Sequence, residues 1–286
     1  MTETRLLVVT AHPDDEVLHF GGLIWLVARA GGLVTLVCAT RGEVGEIAAA
    51  ALATPETLGT VREGELRAAA ATLGVRDLRL LDFRDSGMAG TPENDAPGAF
   101  VRAPADAVVP SLVRVIREVR PAIVATWAPD GGYGHPDHVA ASRHATAAFD
   151  LAGQTVLPEA GAPWAPEGLY YAARPPDLRD AVRAEMAALG RPQTGPERAN
   201  GRHDAPPLPV SAQVDVMAAL AVKKAARAAH RTQVRPDSWV GRLSPELERR
   251  FTGTEYFHRA RPPWAPGQPD DLLARLLGVT EVATPE

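Results

Sequence analysis

The sequence predicts an α/β protein with a Rossmann-like, mainly parallel sheet, helices on both faces and no dinucleotide site. Three observations predict it. Short β-branched apolar runs alternate with amphipathic stretches through the first 150 residues, as repeated βα units with right-handed crossovers require. The first run, Leu6-Leu7-Val8-Val9-Thr10, leads straight into Ala11-His12-Pro13-Asp14-Asp15-Glu16, at the strand end where open α/β sheets place ligands. That first turn lacks Gly-x-Gly-x-x-Gly, and its acids would repel a pyrophosphate.

Taken in order, residues 6–10 read as a buried strand and 17–30 as a helix, stopped by Gly31-Gly32. Residues 33–39 are the second strand, followed by a glycine-punctuated loop over 40–46. Residues 60–73 are a helix, 78–81 a short strand and 82–90 the loop beyond it. Residues 108–119 place Leu112, Val115, Ile116 and Val119 on one helical face. Residues 122–126 are a buried strand, and a helix runs from 136 to 148. In the less regular second half, 168–172 and 255–258 read as strands, 217–230 as an alanine-rich helix and 271–277 as a terminal amphipathic helix. The Pro- and Gly-rich segment 191–209 is an insertion or a lid. No repeat or composition shift divides the chain. We therefore expect one domain over 1–286, with a core in 1–172 and a decorated half in 173–286.

The 286 residues suffice for a sizeable core, and 45% hydrophobic and 23% charged residues are ordinary globular values. A net charge of −5 gives no footprint for nucleic acid. The single cysteine, Cys38, excludes a disulfide framework or a cysteine-based zinc site and reads as a small buried hydrophobe. The apolar run after Arg5 is too short for a signal peptide or membrane span. A cytoplasmic protein without membrane or nucleic-acid partners is expected.

Two clusters carry the chemistry. Asp14, Asp15 and Glu16 suit a helix start, where free N–H groups favour negative charge, but that role does not explain His12. The second cluster, Tyr133-Gly134-His135-Pro136-Asp137-His138, follows another buried strand. A catalytic zinc takes three protein ligands and leaves one position open. His12, Asp15 and His138 supply such a set. Asp14 is then free as a general base, and His135 could stabilise an oxyanion or protonate a leaving amine. Asp137 is placed to fix a histidine tautomer.

The pairing of Ala-His-Pro-Asp-Asp-Glu with His-Pro-Asp-His resembles the LmbE-like/PIG-L family of N-deacetylases. The resemblance covers most of residues 5–150. It implies a Rossmann-like fold, one metal per chain (usually zinc, with Fe2+ as another divalent candidate) and removal of acetyl from an N-acetylglucosamine unit. It assigns His12, Asp15 and His138 to the metal, Asp14 as base and His135 as the electrostatic or acid residue. Arg62-Glu63-Gly64-Glu65-Leu66, Arg84-Asp85-Ser86-Gly87-Met88-Ala89-Gly90 and Gly131-Gly132-Tyr133-Gly134-His135 are similar to a branch acting in low-molecular-weight thiol metabolism. That branch holds N-acetylglucosaminyl-inositol deacetylases, amidases that cleave mycothiol conjugates and, more distantly, bacillithiol-pathway deacetylases. It implies a small amino-sugar conjugate as substrate, with Arg62 and Asp85 on its hydroxyls and Tyr133 moving over the reaction centre.

Other readings compete. A dinuclear phosphoesterase needs more ligands than these clusters contain, and a non-catalytic sugar binder has no use for Asp14. An amidase acting on a thiol S-conjugate is the nearer alternative. His19 departs from the small or polar residue common there in the family, and lines a pocket or flanks the helix. His144, His203, His230 and His258 lack partner motifs and read as surface or core residues. Glu43 and Glu46 read as solvated loop acids. Aglycone, metal and oligomeric state are not legible in the sequence.

Overall fold

The structure, a computed structural model, describes residues 4–189, 208–235, 242–268 and 270–278. Its centre is a seven-stranded sheet ordered β3-β2-β1-β4-β5-β7-β6. The strands are β1 (Arg5–Thr10), β2 (Leu33–Thr40), β3 (Asp77–Phe83), β4 (Ile123–Thr126), β5 (Gly168–Ala173), β6 (Ala212–Asp215) and β7 (Thr254–Arg261). The first five run parallel, while β7 is antiparallel to both β5 and β6. The strand order reverses direction between β1 and β4, so their carboxyl ends open the crevice where such sheets bind ligands.

Strand periodicity sorts the core into two layers. Leu6 and Val8 of β1 enter one layer with Val34, Leu36 and Cys38 of β2. Leu7 and Val9 enter the other with Val37 and Ala39. The first layer is covered by α2 (Gly21–Arg29), α3 (Leu58–Leu73), α8 (Leu220–Ala229) and α10 (Asp271–Leu277). The second is covered by α4 (Ala105–Val119) and α6 (Pro136–Ala152). Leu112 and Ile116 of α4 are fully buried, and each contributes about 1.5–3 kcal/mol by leaving water. A third apolar cluster joins α7 (Pro176–Ala188) and α9 (Pro245–Phe251) to Tyr256 of β7. Cys38 is buried and unpaired, and burial pushes its thiol pKa up. No helix among the described residues is long and apolar enough to cross a membrane.

Several expected boundaries shift. The helix expected over 17–30 is two: α1 (Asp15–His19) and α2, with Phe20 at φ −132° between them. The break has a distant cause. Glu255 accepts the N–H groups of Gly22 and Leu23 at 2.7 and 2.8 Å, capping α2 from β7. Its charge is balanced by Lys223, whose Nζ lies 2.6 Å from Glu255 Oε1 and also donates to Thr252 O at 2.9 Å. The helix expected over 217–230 opens as a 3-10 turn, Met217–Ala219, before α8. Strand β6 and helices α7 and α9 were not anticipated. Most of the 191–209 segment lies outside the described residues, as does His203.

Candidate metal and catalytic site

Four adjacent strand ends build the site. The turn after β1 brings His12, Asp14 and Asp15, and the loop after β2 brings Gly42 and Glu43. The loop after β3 brings Asp85 and Ser86. The segment after β4 brings Trp127 and, through the short turn α5 (Gly131–Gly134), His135, Asp137 and His138. His12, Asp15, His135, Asp137 and His138 are all buried. Gly131 has φ 68°, and a β-carbon there would stand 3.0 Å from His138 Cβ. Only glycine lets the loop pass this close.

Hydrogen bonds set the direction of each imidazole. His138 Nδ1 donates to Gly131 O at 3.1 Å, which leaves its Nε2 a lone pair. His12 Nε2 points at Asp137 Oδ2, 3.2 Å away, and at Asp85 Oδ1, 3.4 Å away, so its Nδ1 is free. The two free nitrogens face each other at 3.2 Å. Asp15 Oδ1 lies 3.3 Å from His138 Nε2 and Asp15 Oδ2 3.9 Å from His12 Nδ1. Ligands about 2.1 Å from a tetrahedral ion are about 3.4 Å apart, a spacing met by both contacts of His138 Nε2 but exceeded between Asp15 Oδ2 and His12 Nδ1. Without an ion, a proton shared between the two nitrogens satisfies the same contact.

Asp15 is fixed by donors to Oδ2 from Ala11 N at 3.1 Å, His12 N at 2.9 Å and Trp127 Nε1 at 3.2 Å. Trp127 also stacks on His138, centroids 3.9 Å apart and planes 12° apart. Burial would raise the Asp15 pKa, but His138 and His12 hold it far below the usual carboxylate range. Burial would likewise lower that of His12, yet Asp137 and Asp85 raise it well above its ordinary value. Ligand atoms of His12, His135 and His138 all lie within 4.8 Å of one another, as do those of His12, Asp85 and Asp137.

Asp14 stands apart from this cluster. It adopts φ 106°, its side chain is 39% exposed, and its Oδ2 lies 3.4 Å from Arg62 Nη2. Although the side chain is partly exposed, its enclosure in the turn raises its pKa against the opposing pull of Arg62. Arg62 is itself buried and donates to Pro13 O at 2.6 Å and Gly42 O at 2.8 Å, while its Nε has no partner among the described residues. His135 caps α6, its Nδ1 accepting from Asp137 N at 3.2 Å, and burial holds its pKa well below the ordinary value. Asp85 Oδ1 accepts from Gly87 N at 2.8 Å. Glu43, read as a solvated loop acid, accepts from Asp85 N at 3.1 Å. Tyr133 is exposed, its ring edge-on to His138 at 5.0 Å. His19 abuts Trp127, ring centroids 4.6 Å apart.

Three contributors were missed. Trp127 orients Asp15 and His138 but follows its strand without a motif. His230, placed among residues lacking partners, is buried with Nε2 2.7 Å from Glu16 Oε1. Glu16 itself, read only as a helix-start acid, accepts the N–H of Asp14 at 2.9 Å.

Comparison with known proteins relates the chain to a family. The family model described as GlcNAc-PI de-N-acetylase (PIG-L) matches residues 7–149. The chain is 41% identical to the 1D-myo-inositol 2-acetamido-2-deoxy-alpha-D-glucopyranoside deacetylase of Geodermatophilus obscurus, across 96% of this chain and 98% of that one. It is 40% identical to the protein of the same name from Streptomyces avermitilis, covering 91% and 93%. Among solved structures, N,N'-diacetylchitobiose deacetylase from Pyrococcus horikoshii superposes with a TM-score of 0.63 over 90% of this chain and 84% of that one. At 20% identity it shows the shared fold alone. With half its length matched by the family model and close relatives aligned over nearly all of it, the chain belongs to the PIG-L family.

Proposed function

We propose that this protein is a zinc-dependent N-deacetylase that removes acetyl from an N-acetylglucosaminyl-inositol-type small molecule. The observation that carries this reading is the approach of His12 Nδ1 and Asp15 Oδ1 to His138 Nε2 at 3.2 and 3.3 Å, with Asp14 at the edge of the group. The names of the aligned relatives supply the substrate class. The same reading takes residues 1–286 as one catalytic unit, because β7 and β6 extend the sheet that carries the site.

A divalent ion held by His12, Asp15 and His138 supplies Lewis acidity to the amide carbonyl and lowers the pKa of water to about 7. Asp14 takes a proton from the attacking water. Arg62 keeps Asp14 at the site's rim rather than neutralising it, since two of its bonds go to carbonyls. Neutral His135 has Nδ1 engaged by Asp137 N, so its proton sits on Nε2. This favours donation of a hydrogen bond to the developing oxyanion over protonation of the leaving amine. Asp137 accepts from His12 Nε2 and Ser86 N, orienting the imidazole from behind. On the substrate side, the Arg62 and Asp85 side chains serve sugar hydroxyls, and the exposed Tyr133 ring covers the reacting group.

The test is amine release from N-acetylglucosaminyl-inositol by chelator-stripped protein, before and after one equivalent of Zn2+ or Fe2+. Activity should vanish on stripping and return at about one metal per chain. Undiminished release after stripping, or two tightly held metals per chain, refutes the reading. A higher kcat/KM on a thiol S-conjugate than on the inositol sugar assigns the amidase activity instead.

A further inference from the structure

The catalytic turn is gripped by a segment far outside the family-matched region. His230 ends α8 and is fully buried, as is Glu16. The imidazole Nε2 is 2.7 Å from Glu16 Oε1, and the other Glu16 oxygen accepts the Asp14 N–H at 2.9 Å. That N–H belongs to a residue at φ 106°, ψ −25°, a conformation that a non-glycine residue keeps only where its surroundings over-determine it. The Asp14 side chain makes no capping bond of its own.

A second strut lies two residues on. Thr232 donates from its backbone N at 2.8 Å and its hydroxyl at 2.6 Å to the two carboxylate oxygens of Glu65. Glu65 sits one turn along α3 from Arg62, whose guanidinium holds Pro13 O and faces Asp14. The same turn also reaches the loop after β2, where Thr232 O accepts from Ala48 N at 2.8 Å and Gln233 Nε2 donates to Glu46 O at 2.9 Å. Asp15, by contrast, is held by Ala11, His12 and Trp127, and among the described residues these three make no hydrogen bond to residues 230–233. The geometry of the base is therefore braced separately from the geometry of the metal ligands.

We infer that His230, through Glu16, and Thr232, through Glu65, are positioning residues that hold Asp14 in the conformation from which it acts. The inference rests on Asp14 being the base. Imidazole rigidity and a short bond to a buried carboxylate make His230 a stiff strut, because neither partner can be satisfied by water. The role is one of placement and needs no contact with substrate.

Two isolating variants test it. His230→Gln carries an N–H to the position of Nε2, whereas the shorter His230→Asn places its amide near Nδ1 and cannot reach Glu16. The glutamine variant should retain most turnover. The asparagine variant should lose about tenfold to a hundredfold in kcat, with KM and metal stoichiometry at wild-type values. In its crystal structure Asp14 should have left the positive-φ conformation. The near-isosteric Thr232→Val, which does not empty the core, should lower kcat about threefold to tenfold and so carries the test if His230→Asn does not fold. Equal losses in the glutamine and asparagine variants, an unmoved Asp14, loss of metal, or Thr232→Val at wild-type kcat each overturn the inference. Asp14→Asn assayed alongside separates the two claims. If it turns over normally, the assignment of the base has failed; if it is inactive while His230→Asn is unimpaired, only the strut has failed.

Discussion

Replacing Trp127 with phenylalanine tests whether the metal set is organised from outside. The substitution keeps an aromatic ring against His138, stacked at 3.9 Å, and deletes the indole N–H that reaches Asp15 Oδ2 at 3.2 Å. Hydrogen bonds to a charged acceptor contribute about 1.5–3 kcal/mol. This one belongs at the low end, because Oδ2 keeps donors from Ala11 N at 3.1 Å and His12 N at 2.9 Å. About 1.5 kcal/mol is roughly a tenfold loss of metal affinity, within the range for residues that support metal ligands. Competition against a chromogenic chelator measures it. Activity at saturating metal should return to near the wild-type level, since Asp14 and His135 are untouched. An unchanged affinity, or a kcat deficit that excess metal does not repair, would refute the argument that Trp127 acts through Asp15.

Much of the fold was legible because the first half repeats one device. A β-branched run is buried on both faces, then an amphipathic helix covers it, and this pattern is local. The four strands expected before residue 150 are all present, as is α10 over the residues expected. What failed was decided at long range. The break between α1 and α2 depends on Glu255, 233 residues from Gly22. Edge strand β6 has four residues, half of them polar, and pairs only with β7. Helix α9 is short and charged, and its apolar residues Leu247 and Phe251 mean little until α7 is beside them.

The candidate site divides along the same line. His12, Asp14 and Asp15 lie within four residues, and His135, Asp137 and His138 within four more, so the chemistry declares itself before any folding is considered. Trp127, Glu43 and His230 carry no local signal. Their meaning comes from a partner that only the sheet's carboxyl edge or α8 brings near. Arg62 is intermediate. Resemblance points it at substrate, while the structure spends two of its donors on the turns that present Asp14.

Four further outcomes are expected. Asp14→Asn should bind metal normally and lose about 10²–10⁴-fold in kcat; loss of metal with normal activity on re-addition would make Asp14 a ligand instead. Lys223→Met should destabilise the fold by about 3–5 kcal/mol in denaturant titration, because the charge of buried Glu255 is left uncompensated; a change below 1 kcal/mol would show that the two backbone N–H groups on Glu255 suffice. Burial and then Arg143 lower the pKa of His144 from 6.5 to about 4, so folding favours its neutral form. The stability this confers is whole above pH 6.5 and is lost as pH falls toward 4, by about 2 kcal/mol after allowance for solvent at Arg143, and His144→Gln should flatten that slope or show that the group titrates normally. Finally, Asp85→Ala tests the sugar side. Its carboxylate lies 3.4 Å from His12, so a loss of activity alone would not separate substrate contact from support of that histidine. A site that hydrogen-bonds a hydroxyl discriminates strongly against ligands lacking it. The variant should therefore lose far more kcat/KM on an N-acetylglucosamine conjugate than on a minimal acetamide, and removing the sugar should cost the wild type more than the variant. Equal losses on both substrates would place Asp85 wholly behind His12, with no contact to the sugar.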